Sequence, residues 1–201
     1  FTYYSRIAVG QIIPGGWPEV VMSVGDEAGR LKWYQWEGNA WKAHDLGPIN
    51  QGHSLQLVDI NQDGHLDLYI AEMRLDGDNA ESGMWFYLGD SQGMFRRALV
   101  ASGYDNHENR VVDLDGDGDL DILGKPFNHE TPALHIWLNE GMPVALDSWE
   151  RHVVDSDRPW RSMFITAADI DGDQNADILT GGWWYQNPKA AGGSWKRLPF
   201  G

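Results

Sequence analysis

Three short acidic segments recur along the chain: DINQDGHLD at 59–67, DLDGDGDLD at 113–121 and DIDGDQNAD at 169–177. Their starts lie 54 and 56 residues apart. Self-similarity at such a period implies a solenoid or a propeller. The second copy sits in VVDLDGDGDLDILG, where five aspartates stand between Val111-Val112 and Ile122-Leu123. Carboxylates packed this closely repel and raise each other's pKa. Either something positive sits among them, or the segment stays open to water.

Two further signals keep the same step. Trp41-Lys42, Phe95-Arg96, Trp149-Glu150 and Trp195-Lys196 each begin a short amphipathic run. Between them stand the aromatic pieces Trp33-Tyr34, Trp85-Phe86-Tyr87, Ile136-Trp137-Leu138 and Trp183-Trp184-Tyr185. Each repeat therefore holds about four strand-like pieces separated by Gly, Pro and Asn, the pattern of a propeller blade. No segment has a helical period, which a series of βα units would require. The sequence predicts an all-β propeller of four blade units, roughly 1–47, 48–103, 104–155 and 156–201, in a single region 1–201. The first unit aligns without the acids: AVGQIIPGGWPEVVMS lies over LVDINQDGHLDLYIA, with Gly10 opposite Asp59 and Glu19 near Asp67.

Oxygen side chains at loop positions 1, 3, 5 and 9, with a carbonyl from position 7, suit a hard cation such as Ca²⁺. The candidate ligands are Asp59, Asn61, Asp63, His65 and Asp67; Asp113, Asp115, Asp117, Asp119 and Asp121; and Asp169, Asp171, Asp173, Asn175 and Asp177. Gly64 and Gly118 at position 6 permit the sharp turn. The opening matches an EF-hand loop, yet position 12 holds Ile70, Gly124 and Thr180 rather than a bidentate Glu. The flanks are strands, so each is a loop on a β-hairpin. Solvated acidic turns are the plainer reading of one copy; three in register, each gripped by apolar strands, favour calcium. The third loop has Gln174 in place of Gly, and Asn175 is expected to close a shifted turn there.

These loops resemble those of the FG-GAP and VCBS-repeat propellers, among them the integrin α-subunit head and many secreted bacterial proteins. The resemblance covers all four units, most specifically 53–73, 107–126 and 163–185. It implies that each acidic loop joins the innermost strand to the second strand on the lower face, with up to three Ca²⁺ bound. Family members usually have seven blades, so four units imply either a segment of a larger ring, completed by other chains or missing blades, or a closed four-bladed ring. The phrases HENRVVDLDGDGDLDILGKPF and ADILTGGWWYQNP are also similar to secreted propellers of carbohydrate chemistry, the aldos-2-ulose dehydratase-like proteins and some polysaccharide lyases.

The net charge of −15 argues against a nucleic-acid partner, which needs a basic face. No stretch is long and apolar enough to span a membrane. The chain starts at Phe1 and shows no signal peptide, which reads as processed or excised. Calcium loops lacking the bidentate Glu work where Ca²⁺ is near millimolar, so an extracellular or periplasmic location follows.

If the acidic loops form the lower turns, ionisable and aromatic groups gather at the opposite, upper ends of the strands. His53, His107 and Lys125 form the candidate catalytic set. Glu72, Arg74, Glu108, Arg110, His129, Trp160, Arg161, Trp183 and Trp184 form the candidate ligand set. Histidines at a fixed repeat position often only satisfy backbone groups, and several of the 11 Trp must be core. Aromatic platforms beside Arg, Lys and Glu suit a sugar or an acidic polysaccharide. Three functions compete: a module binding a carbohydrate or protein ligand, a lyase or dehydratase with His107 or His53 as base, and a purely structural segment. A second metal held by His53, His107 and Glu72 is a variant of the enzyme.

Overall fold

The computed structural model describes residues 4–75, 78–127, 133–139, 148–158, 162–190 and 192–200. Sixteen strands and no α-helix occur among them. The strands form four antiparallel meanders. The first is β1 (Tyr4–Gly10), β2 (Glu19–Val24), β3 (Ala28–Trp36) and β4 (Trp41–Asn50). The second is β5 (Ser54–Val58), β6 (Asp67–Ala71), β7 (Gly83–Gly89) and β8 (Phe95–Ser102). The third is β9 (Arg110–Val112), β10 (Asp121–Gly124), β11 (Leu134–Asn139) and β12 (Trp149–Asp155). The fourth is β13 (Ile165–Ala168), β14 (Asp177–Thr180), β15 (Trp183–Gln186) and β16 (Lys196–Pro199). Four strands in sequential order make each sheet a propeller blade. The aromatic pieces fall on the third strands, and the amphipathic runs fall on the fourth.

The chain divides into two compact units, Phe1–Asn106 and His107–Gly201, with two blades in each. In the first unit β1 lies beside β5. Gly10 ends β1 without a side chain because Leu57 and Leu66 fill the place a Cβ would take, with Leu66 Cδ1 at 2.6 Å. Val21, Leu31, Trp33 and Ile49 of the first blade share one core with Leu68, Ile70 and Tyr87 of the second. In the second unit β9 lies beside β13. Leu123, Leu134, Ile136 and Leu138 there share a core with Ile165, Ile178 and Tyr185. Burial follows from strand position: β6 is buried at every residue, whereas the outer β8 is nowhere fully buried.

The loop between first and second strands is closed the same way in the second, third and fourth blades. Asp67 begins β6, is completely buried, and accepts the Ile60 amide at 3.0 Å and the Gly89 amide at 2.8 Å. Asp121 does the same with Leu114 N (2.8 Å) and Asn139 N (3.0 Å). Asp177 does so with Ile170 N (3.1 Å) and Asn187 N (2.8 Å). One carboxylate thus fixes the start of the loop to the exit of the third strand. In the first blade Glu19 holds the same position and fastens the loop alone, one oxygen accepting Ile12 N at 2.8 Å and Ile13 N at 3.2 Å. Gly10 pairs with Glu19 as Val58 pairs with Asp67, so Gln11, not Gly10, stands opposite Asp59. The first unit lost the loop's other acids but kept this one.

Glu19 isolates this clamp from any cation. Each backbone amide left buried without an acceptor costs about 1–3 kcal/mol. Glu19→Ala should therefore destabilise the protein by roughly 2–5 kcal/mol in urea unfolding, equally with calcium and with chelator. A loss under about 0.5 kcal/mol, the scale of an ordinary surface change, would show that the carboxylate does not hold the loop.

Candidate functional site

All three acidic loops fold as ladders of side-chain oxygens on backbone amides. Asp59 accepts from Asp63 N and Gly64 N, Asp113 from Gly116 N and Gly118 N, and Asp169 from Gly172 N and Gln174 N. The fifth-position aspartates Asp63, Asp117 and Asp173 accept from His65 N, Asp119 N and Asn175 N. Two residues per loop take positive φ. At position 6 these are Gly64 (86°), Gly118 (96°) and Gln174 (72°). At position 4 they are Gln62 (56°), Gly116 (80°) and Gly172 (78°). Gln174 itself occupies the left-handed place, so the turn does not shift onto Asn175. Asp169 still takes the Gln174 amide, which holds the register.

The loops differ in how they settle their charge. In the second, one oxygen each from Asp113, Asp115 and Asp121 lies within 4.8 Å of the others. Burial, with Asp115 and Asp119 close by, pushes the Asp121 carboxyl up to about 7 despite its two amide donors. Asp119 is also pushed to about 7, first by burial and then by Asp117. Its side chain is 4% exposed, and its Oδ1 is buried without a hydrogen-bond partner. A buried carboxyl oxygen without a hydrogen-bond partner, beside three converging carboxylates, is a place a hard cation fits. The sequence assigned position 7 only a carbonyl; Asp119 adds a side chain.

In the third loop Asp169, Asp171 and Asp177 converge equally closely. There Lys189 Nζ sits 2.6 Å from Asp173 Oδ2. This bond holds the Asp173 carboxyl well below the usual range and raises Lys189. Gln186 Nε2 donates to Asp171 at 2.7 Å. The third loop thus supplies part of its own counter-charge. The first loop carries Asn61 and His65 in place of two acids; there burial pushes Asp67 to about 6.

At the other ends of the blades the residues have different occupations. Glu72 accepts Asn50 N at 2.8 Å, Gly83 N at 3.2 Å and Asn79 Nδ2 at 3.4 Å. Arg74 donates to Ser82 Oγ and to the Ala80 and Gly103 carbonyls. Both therefore serve the backbone of their own unit. His53 lies against Arg6, whose Nε is 2.7 Å from the His53 carbonyl and 3.2 Å from its Nδ1. No motif or repeat position singles out Arg6. In the second unit Lys125 Nζ lies 2.9 Å from His107 Nδ1, both buried, and the His107 amide donates to the Lys125 carbonyl. Glu108, at φ 62°, has its carboxylate 3.4 Å from Arg110. Trp183 and Trp184 lie in β15 half-buried, with the Arg197 guanidinium 4.9 Å from the Trp183 ring. His129, Trp160 and Arg161 lie outside the described residues. A cleft of 340 Å³ opens beside the second loop, lined among others by Asp115, His152, Asn187 and Trp195. In the sequence Trp195 was only a repeat marker.

The raised carboxyls set a pH dependence. Asp121 and Asp119 titrate near 7 in the fold, against an ordinary value of 3.8. Below about pH 4 folded and unfolded chains both hold these protons; between about 4 and 7 only the folded chain does. The chelated protein should therefore lose stability as pH rises through that window, and millimolar calcium should flatten the slope. Urea unfolding at each end of the window reads it, and stability rising with pH under chelator would contradict it.

No curated protein matches the chain. Residues 16–70 match the model of the FG-GAP-like repeat, a span from the end of the β1–β2 connection through the first acidic loop to β6. Within that span the chain carries the FG-GAP-like repeat, and the four blades of one strand order are consistent with its continuing along the chain.

Proposed function

We propose that this propeller module is stabilised by calcium, works outside the cytosol, and holds a carbohydrate or protein ligand at the blade ends opposite its acidic loops. The observation that carries the calcium reading is the second loop: three carboxylates converge there beside the orphaned Asp119 oxygen. A divalent ion would relieve the repulsion that raises these acids and would engage the buried Asp119 oxygen. The absence of a bidentate Glu at position 12 points to weak sites, suited to extracellular calcium. For the ligand, the support is the Trp183–Arg197 pair and the His107–Lys125 pair in the second unit, apolar ring surface and polar donors at one end of the strands.

A second reading, a lyase or dehydratase with His107 as base, draws on the burial of that His–Lys pair, since perturbed pairs cluster at functional sites. Binding is favoured over it. With Lys125 donating to Nδ1, the proton of a neutral His107 ring sits on Nε2, which leaves the ring no free lone pair to act as a base. His107→Ala should weaken a ligand modestly, and Trp183→Ala should weaken it more. Abolished turnover of an acidic or keto-sugar by His107→Ala would instead establish the enzyme.

Calcium should raise the melting temperature over chelator. A site at a hundredfold excess over Kd contributes about 2.7 kcal/mol. Asp117→Ala should remove more of that rise than Asp173→Ala, because the second loop has no lysine of its own. An unchanged melting temperature in calcium would sink the assignment. Lys189→Gln should tighten the third site, since the cation must otherwise displace an ammonium. Calorimetric titration showing unchanged or weaker binding in that variant would show that Lys189 does not compete.

A further inference from the structure

Each unit has one blade junction, built from matching positions, and the two junctions are not filled alike. Trp33 pairs with Val21, two residues past Glu19; Ile136 pairs with Leu123, two residues past Asp121. The two therefore hold one blade position. Across from them on the fourth strands, His44 pairs with Trp33 as His152 pairs with Ile136. Phe95 and Trp195 each stand two residues before the arginine, Arg97 or Arg197, that faces the third-strand tyrosine of their blade.

In the first unit an indole fills the space. Trp33 is buried, stacks flat on His44 with ring centres 3.8 Å apart, and meets Phe95 edge-on at 6.5 Å. It reaches the turn between β7 and β8, where a Cβ on Gly93 would come within 2.9 Å of the ring. Ile13 closes the same place, 3.3 Å from that Cβ. In the turn Gly93 N donates to the Asp90 carbonyl, and between β15 and β16 Gly193 N donates likewise to the Ala190 carbonyl. The second unit repeats the turn but not the filling. Ile136 replaces the indole, and Asp115 stands where the first blade has Ile13, one residue past the amide that its clamp holds. The cleft of 340 Å³ noted above lies among these residues, with Ile136, His152, Gly193 and Trp195 in its lining. Its volume suits a small molecule, for which sites span about 300–1,000 Å³.

A mere packing defect would be collapsed by its neighbours or bounded by apolar atoms alone. This cleft is braced and has a polar mouth. Asn187 Nδ2 donates to the Leu114 carbonyl of the third blade at 2.7 Å and to the Ala176 carbonyl at 2.8 Å, which ties the two blades together at its edge. Leu114, Ile136 and Leu138 form a buried floor, while Asp115 and Ser194 are exposed at the rim.

We propose that this cleft, apart from the blade ends invoked above, binds a neutral pyranose sugar, its ring seated where the first unit keeps its indole. The apolar ring faces pack against Trp195 and Ile136, with the His152 imidazole in the place that His44 holds on Trp33. The hydroxyl edge meets Asp115 and Ser194 at the mouth. An aromatic ring fills the space but offers Asp115 no hydroxyls. A uronate brings a carboxylate to the rim of an acidic loop and is disfavoured.

Calorimetric titration with glucose, galactose, mannose, glucuronate and tryptamine tests this, in millimolar calcium and again with chelator because one Asp115 oxygen converges with Asp113 and Asp121. A neutral sugar should bind in at least one condition, more tightly than glucuronate or tryptamine. Ile136→Trp, which restores the filling of the first unit, should abolish that binding with the melting temperature kept. Should that variant misfold, His152→Ala, at a partly exposed position, should weaken the sugar by about fivefold, the worth of one ring pair. No neutral sugar bound in either condition, glucuronate or tryptamine bound more tightly, or sugar binding undiminished in a folded Ile136→Trp or in His152→Ala would overturn the proposal.

Discussion

Each blade depends on one buried carboxylate at the start of its second strand. A charge removed from water is tolerated only when donors surround it, and here the donors are amides that nothing else satisfies. The aspartates at 67, 121 and 177 each spend one oxygen on the amide that opens the loop and the other on the amide that leaves the third strand. That joins the innermost, second and third strands at one point. The first blade keeps half of the device: Glu19 holds the loop's amides, without the rest of the acidic loop. The ninth position thus belongs to the fold, and the cluster at positions 1, 3, 5 and 7 is a separate addition built above it.

The separation explains why the loops carry charge at odds with their surroundings. The clamp must be buried to work, and burial raises its pKa. Every further aspartate placed above it makes the ionised clamp less favourable, as Asp115 and Asp119 do to Asp121. The second loop takes this furthest, and no cation pairs with its acids among the described residues. The third relieves it through Lys189 and Gln186, the first by having Asn61 and His65. Loops identical in backbone therefore differ in how strongly they call for a cation, and the difference lies in residues outside the motif as much as within it.

Period, strand count and the place of each acidic loop were legible in the sequence because all three rest on local pattern: alternation, aromatic strands and turn residues. What escaped it depends on partners distant along the chain. Glu19 looked like a remnant near Asp67, since nothing in the sequence shows that it bonds Ile12 and Ile13. Gln174 looked unfit for its turn, since a motif does not say that the amide of position 6 is pinned by Asp169 whatever its side chain. Glu72 and Arg74 looked like ligand-binding groups because charge beyond a strand end is rare without a use; the use is the connection between β6 and β7 and its neighbours.

A repeat protein offers its own internal control, and it bears on both ends of the blades. A residue type that recurs at one blade position with the same partners serves the architecture, as the clamp carboxylates do. A residue that recurs with different surroundings marks where the architecture is incomplete or has been put to use. Ile7 and Leu55 share a position but not a cover. Gly118 and Gln174 share a conformation, while their loops differ in charge balance. Lys125, wholly buried beside His107, stands where the second blade has the equally buried Ala71. At that position one blade buries a methyl group, and the other places an ammonium against an imidazole. That departure from the repeat, more than any single residue's chemistry, makes the second unit's upper end the place to look for a ligand.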